Sequence, residues 1–101
     1  MSTEVRTTED VLNRLKTFKE RQQAEYHLIS LGVFGSFARG QTDEKSDVDI
    51  VFETDAPNLF RTAEMKQELE KLLARPVDVV RLRPQMNPRL RQRILREARY
   101  V

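Results

Sequence analysis

Apolar residues recur at helical spacing in three long stretches of the chain. Val11, Leu12, Leu15 and Phe18 fall on one stripe of a segment that Thr7 or Thr8 can cap, with Glu9 and Asp10 in its first turn, where the helix dipole favours negative charge. The pattern predicts a helix running to about Tyr26, its later half (KERQQAE) solvated and His27 at its C-terminal end. Residues 1–6, ahead of the cap, read as a frayed tail. Met65, Leu69, Leu72 and Leu73, extended by Leu59, Phe60 and Ala63, mark a second helix from Leu59 to about Ala74. Asn58 is its cap and Arg75-Pro76 its stop, because proline has no N–H to give and restricts the residue before it. A final helix starts at Asn87-Pro88, a good cap followed by a good first residue. Its stripe of Leu90, Ile94, Ala98 and Val101, with Leu95 beside it, is expected to pack on a sheet, while Arg89, Arg93 and Arg96 lie mostly elsewhere.

Three stretches read as strands instead. Leu28 to Phe34 is a short apolar run, Val48, Ile50, Val51 and Phe52 supply β-branched and aromatic content, and Val77 to Leu82 is a third run of the same kind. Between the first two lie a Gly35-Ser36 turn, a short helical turn from Phe37 to Gly40, and a polar loop from Gly40 to Ser46. Thr54 to Pro57 breaks the second strand, and Arg83 to Met86 is a linker. The whole describes a small α/β domain spanning residues 1–101, without internal repeats.

Composition narrows the class. At 39% hydrophobic and 34% charged residues, the chain matches a soluble globular protein with a heavily charged surface. No run approaches the roughly 18 apolar residues that a membrane span needs, and the N-terminus lacks the apolar core of a signal peptide, so a cytoplasmic location is expected. Cysteine is absent and His27 is the only histidine, which excludes disulfides and a structural zinc site. Charge is uneven: residues 1–74 carry ten Lys or Arg against fourteen Asp or Glu, whereas residues 75–101 carry eight Arg against Asp78 and Glu97. A basic end of this kind suits nucleic acid or an acidic partner protein, and equally a solvated helix face with ion pairs to the acidic part.

Candidate chemistry gathers between Leu28 and Glu53. Gly35 lets the backbone come close to an anion because it has no Cβ, and Ser36 adds a hydroxyl donor at the same place. Residues i and i+2 of a strand project to one side, so Asp47 and Asp49 stand side by side while Val48 and Ile50 point into a core. Two carboxylates that close repel each other unless a cation neutralises both, and hard oxygen ligands on an open strand suit Mg²⁺ or Mn²⁺. Glu53 lies on the same face at the rim, and Asp43 and Glu44 read as connector residues rather than ligands. Asp78 sits among residues of a sheet interior, a costly position for a carboxylate unless something positive is close, such as Arg81 or Arg83.

Gly35-Ser36, a ten-residue gap and then Asp47-Val48-Asp49 resemble the signature of the polymerase β-like nucleotidyltransferase superfamily. Within it, the short chain and the wording Gly-Ser-Phe-Ala-Arg-Gly resemble the minimal nucleotidyltransferases, antitoxins that commonly stand beside a HEPN-domain toxin. The resemblance implies an α/β (α+β) fold in which a small mixed sheet carries helices packed on it. It also implies an enzyme that moves AMP from ATP to a hydroxyl by a two-metal mechanism, the acceptor being a tyrosine of the partner toxin. On this basis Asp47, Asp49 and Asp78 are the expected catalytic and metal-binding residues, with Asp78 matching the third carboxylate on a neighbouring strand. Gly35, Ser36 and Arg39 are the expected nucleotide-binding residues, and two Mg²⁺ ions the expected cofactors. The alternatives are a non-catalytic antitoxin that acts by occlusion and, more weakly, nucleic-acid binding by the arginine-rich terminal helix.

Overall fold

The computed structural model describes residues 4–43 and 45–101. Along the chain the elements are α1 (Thr8–Tyr26), β1 (Leu28–Phe34), α2 (Ser36–Arg39), β2 (Val48–Thr54), α3 (Leu59–Leu73), β3 (Val77–Arg81), α4 (Pro88–Glu97) and β4 (Arg99–Tyr100). They build one four-stranded sheet in the order β3-β2-β1-β4. β1 runs antiparallel to β2 and β4, and β3 runs parallel to β2, so the sheet is mixed. Glu44 and the first three residues of the expected tail lie outside the described residues.

Alternation along β2 serves two cores at once. Val48, Ile50 and Phe52 face a cluster with Val11, Leu15, Phe18, Met65, Leu69 and Leu73 from α1 and α3. Val51, one residue out of step, faces the opposite way and packs with Phe34 of β1 and Ile94 of α4. Asp49 shares that second face, so the aspartates project on the side of the sheet that α4 covers.

The caps follow from the sequence. Thr7 accepts the Asp10 N–H at 3.0 Å, Asn58 Oδ1 accepts the N–H groups of Phe60 and Arg61 at 2.9 and 3.1 Å, and Asn87 Oδ1 accepts that of Leu90 at 3.0 Å. His27 ends α1 in the left-handed conformation, φ 51°, with its N–H on Ala24 O.

Four expectations are corrected. Val5 is no part of a frayed tail: it is fully buried and its N–H reaches Leu73 O at 3.0 Å. Leu59, Phe60 and Ala63 do not extend the buried stripe of α3; all three are exposed, Leu59 and Phe60 at 88% and 84%. The last helix stops at Glu97, and Ala98 turns extended (ψ 138°) so that Arg99 and Tyr100 pair with Val33 and Gly32 on the free edge of β1. Val101 therefore packs on the core under α1 and α3 rather than on the stripe of α4. Asp78 stands exposed on an edge strand, not in a sheet interior, and so avoids the burial cost that its neighbours in sequence suggest.

Gly32 admits β4, since a Cβ there would lie 2.6 Å from Arg99 O. Arg75, 7% exposed, is the interior cation of the molecule's loop side. Its guanidinium donates to Val5 O at 2.7 Å, Asp43 O at 3.0 Å and Ser46 O at 2.7 Å, pairs with Glu4 at 3.0 Å and lies 5.1 Å from the Phe37 ring centre. One planar fork thus ties the N-terminal segment and the loop leading into Asp47 to the base of α2.

Candidate active site

The site lies where β1 ends and β2 and β3 begin. Gly35 leaves β1 with φ 73° and ψ −148°, a conformation that residues with a Cβ rarely adopt, and Ser36 then opens α2. The short helix is held by the buried Phe37 side chain, by Thr8 Oγ1 donating to Phe37 O, and by Gln41 N–H on Ser36 O at 2.9 Å. Gly35 is required for space as well as for its φ: a Cβ there would collide with Asp49 Oδ2 and stand 3.4 Å from Arg93 Nη2. The glycine bend and the Asp49 carboxylate are therefore in contact.

Register brings the acids together. Asp49 pairs with Phe34 on one side and with Asp78 on the other, so Asp49 and Asp78 leave adjacent parallel strands at the same level and on the same face. Neighbouring strands are about 4.8 Å apart. Asp47 sits just before β2, two residues upstream of Asp49. Asp47 and Asp78 are exposed and Asp49 is half-buried. Burial, then the negative charges of Asp78 and Asp47, push the Asp49 carboxyl above the usual carboxylate range, while the Arg93 and Arg39 guanidinium groups oppose the shift. Among the described residues no three acidic or imidazole side chains already form a closed metal-binding group. What is present is three separate carboxylates, Asp47, Asp78 and the under-compensated Asp49, whose donor chemistry suits a divalent cation such as Mg²⁺.

A hollow of about 480 Å³ lined by Arg6, Thr7, Thr8, Glu9, Gly40, Thr42 and Arg99 lies beyond the far end of α2 and contains none of the three aspartates.

Residues 14–101 match the family described as Nucleotidyltransferase domain. The chain belongs to that family. This nucleotidyltransferase is 33% identical over 96 residues to the protein adenylyltransferase MntA of Thermococcus cleftensis, covering 94% of the present chain and 96% of the relative. A solved structure described as a minimal nucleotidyltransferase superposes with a TM-score of 0.77 at 34% identity, covering 96% of this chain and 98% of that one. A toxin–antitoxin structure with AMP-PNP superposes with a TM-score of 0.71 at 25% identity, covering 88% of this chain and 72% of that one.

In this nucleotidyltransferase, Gly35, Ser36, Asp47, Asp49 and Asp78 gather at one end of the sheet. Arg39 is also at that end, but its side chain turns to Glu97 of α4, Nη1 to Oε2 at 3.0 Å, and to Gln41. Asp78 forms no ion pair with Arg81 or Arg83 among the described residues. Two residues of α4 that sequence reasoning passed over reach the site. Arg93 lies with its guanidinium carbon 5.8 Å from the Phe34 ring centre, bears on the Asp49 charge, and places Nε 3.4 Å from Glu97 Oε2. Burial alone would raise the Glu97 carboxyl, but the Arg39 and Arg93 charges and the Gly35 N–H outweigh it and hold it below the usual range. The available signal was the i,i+4 spacing of Arg93 and Glu97, an acid in an otherwise arginine-rich helix.

Proposed function

We propose that this nucleotidyltransferase transfers AMP from ATP to a hydroxyl of a partner protein, a toxin of the HEPN type, and so acts as its antitoxin. The reading is supported by the contact between the Gly35 bend and Asp49, and by the level pairing of Asp49 with Asp78. It is supported further by the name of the MntA relative and by the toxin–antitoxin neighbour with AMP-PNP.

In this account Gly35 backbone and Ser36 hydroxyl hold the β- and γ-phosphates, and Arg39 offsets charge that develops there. Asp47 and Asp49 would hold the cation that accompanies the triphosphate, and Asp49 with Asp78 would hold a second. Bound Mg²⁺ would supply Lewis-acid stabilisation of the attacking and leaving oxygens. The acceptor oxygen bonds to the α-phosphorus, the bond from that phosphorus to the bridging oxygen breaks, and pyrophosphate departs. Asp78 takes the acceptor proton. Its exposure on an edge strand suits an acceptor carried by another macromolecule, which can reach the carboxylate without entering a cleft.

The test is transfer of label from α-labelled ATP to a co-expressed partner in the presence of Mg²⁺. Asp47→Ala and Asp49→Ala are expected to abolish transfer with the fold intact by circular dichroism. Wild-type transfer by both variants overturns the reading.

A further inference from the structure

The Arg39–Glu97–Arg93 cluster is not explained by the packing of α4. Ile94 does that packing, fully buried against Phe34 and Val51, with Leu90 and Ala98 beside it. Arg93 and Glu97 lie at the upper end of the helix, and the Glu97 Oε2 atom is shared between Arg39 Nη1 at 3.0 Å and Arg93 Nε at 3.4 Å. One carboxylate oxygen thus gathers two guanidinium groups that come from different elements, α2 and α4. Both retain unused donors, since a guanidinium carries five N–H groups and the Arg93 Nη2 end is the one nearest Gly35, 3.4 Å from where its Cβ would stand. Arg93 is also fixed in direction by the Phe34 ring beneath it and is only half-exposed, which lowers the entropy lost when a ligand arrives. The Arg93 Nη2 end thus stands beside both the Gly35 bend and the Asp49 carboxylate that touches it.

Resting on the reading of the site given above, we propose that Arg93 is a further nucleotide-binding residue, a second guanidinium on the triphosphate tail opposite Arg39, and that Glu97 is the positioning residue that aims both. Two forks converging on one bend recognise an anion with several oxygens and more than one charge, which a triphosphate provides and a monophosphate does not. Arg93 therefore contributes to discrimination by phosphate number rather than by base.

Calorimetric titration of the whole chain with AMP-PNP and, separately, with AMP, both with Mg²⁺, tests this without needing an acceptor. Arg93→Gln is expected to weaken AMP-PNP binding about tenfold or more, the scale of a lost charge-assisted hydrogen bond, and to change AMP binding less than about twofold. Arg93→Lys keeps the charge but not the fork and is expected to fall between, which guards against a folding defect in the first variant. Glu97→Gln is expected to weaken AMP-PNP binding a few-fold in the wild-type background and not at all in Arg93→Gln, a coupling that a merely structural role would not produce. Equal AMP-PNP affinity in Arg93→Gln and the wild type overturns the proposal and leaves the reading of the site standing. Failure of the wild type itself to bind AMP-PNP overturns both.

Discussion

At the scale of single residues, Asp49 bears a conflict between stability and chemistry. Its carboxyl is half-buried beside Asp78 and Asp47, and it is held above the ordinary range by burial first and by those charges second. A carboxyl raised on folding costs stability once the pH exceeds its unfolded value, because the unfolded chain ionises freely and the folded one does not; below that value the cost disappears. Asp49→Asn is therefore expected to raise the melting temperature of the metal-free protein by a few degrees at neutral pH, with the gain vanishing as pH falls below the ordinary aspartate range. Melting curves of both proteins across that range check the sign, and a lower melting temperature for the variant at neutral pH contradicts it. The residues of this conflict were legible in the sequence, since Asp47 and Asp49 announce themselves by spacing and Gly35 by its lack of Cβ. Arg93 and Glu97 were legible only as an i,i+4 pair, because their place beside Asp49 and Gly35 depends on the path of α4 across the sheet.

Among the secondary-structure elements, periodicity marks which face of a helix is apolar but not where the surface it packs on ends. Met65, Leu69 and Leu73 meet the core, whereas Leu59 and Phe60, apolar residues of the first turn, stand in solvent. Leu69→Ala is accordingly expected to cost about 2–5 kcal/mol in chemical denaturation, and Phe60→Ser to change stability by less than about 0.5 kcal/mol. A comparable loss at both positions would mean that the first turn is packed after all. The ends of β1, β2 and β3 were readable because β-branched runs and turn residues bound them. β4 was not, for two residues carry no alternation, and Ala98 and Val101 continue the helical spacing of Leu90 and Ile94 even though the chain has already turned extended. What the spacing omitted was the free edge of β1, where Val101 N–H finds Leu31 O at 2.9 Å. Val5 was missed for a related reason: a single apolar residue in a polar segment has no period.

For the whole molecule, the sheet order puts the chemistry at one end of the central strands and the pairing of β2 with β3 decides which acids share a face. A one-residue shift in that pairing would send Asp78 to the α1 and α3 side. The motif spacing located Asp47 and Asp49, but only the parallel register sets Asp78 level with Asp49, and only the edge position of β3 leaves it open to a macromolecular acceptor. Among the described residues no helix is long and apolar enough to cross a membrane. Arg75 on Glu4 offsets part of the uneven charge between the two segments. The intact mass of the protein encoded beside this chain, purified after co-expression with wild type or with Asp49→Asn, tests the central claim most directly. A gain of one or more AMP units with the wild type and none with the variant is the predicted result; an unmodified partner that the wild-type chain nonetheless neutralises would contradict it.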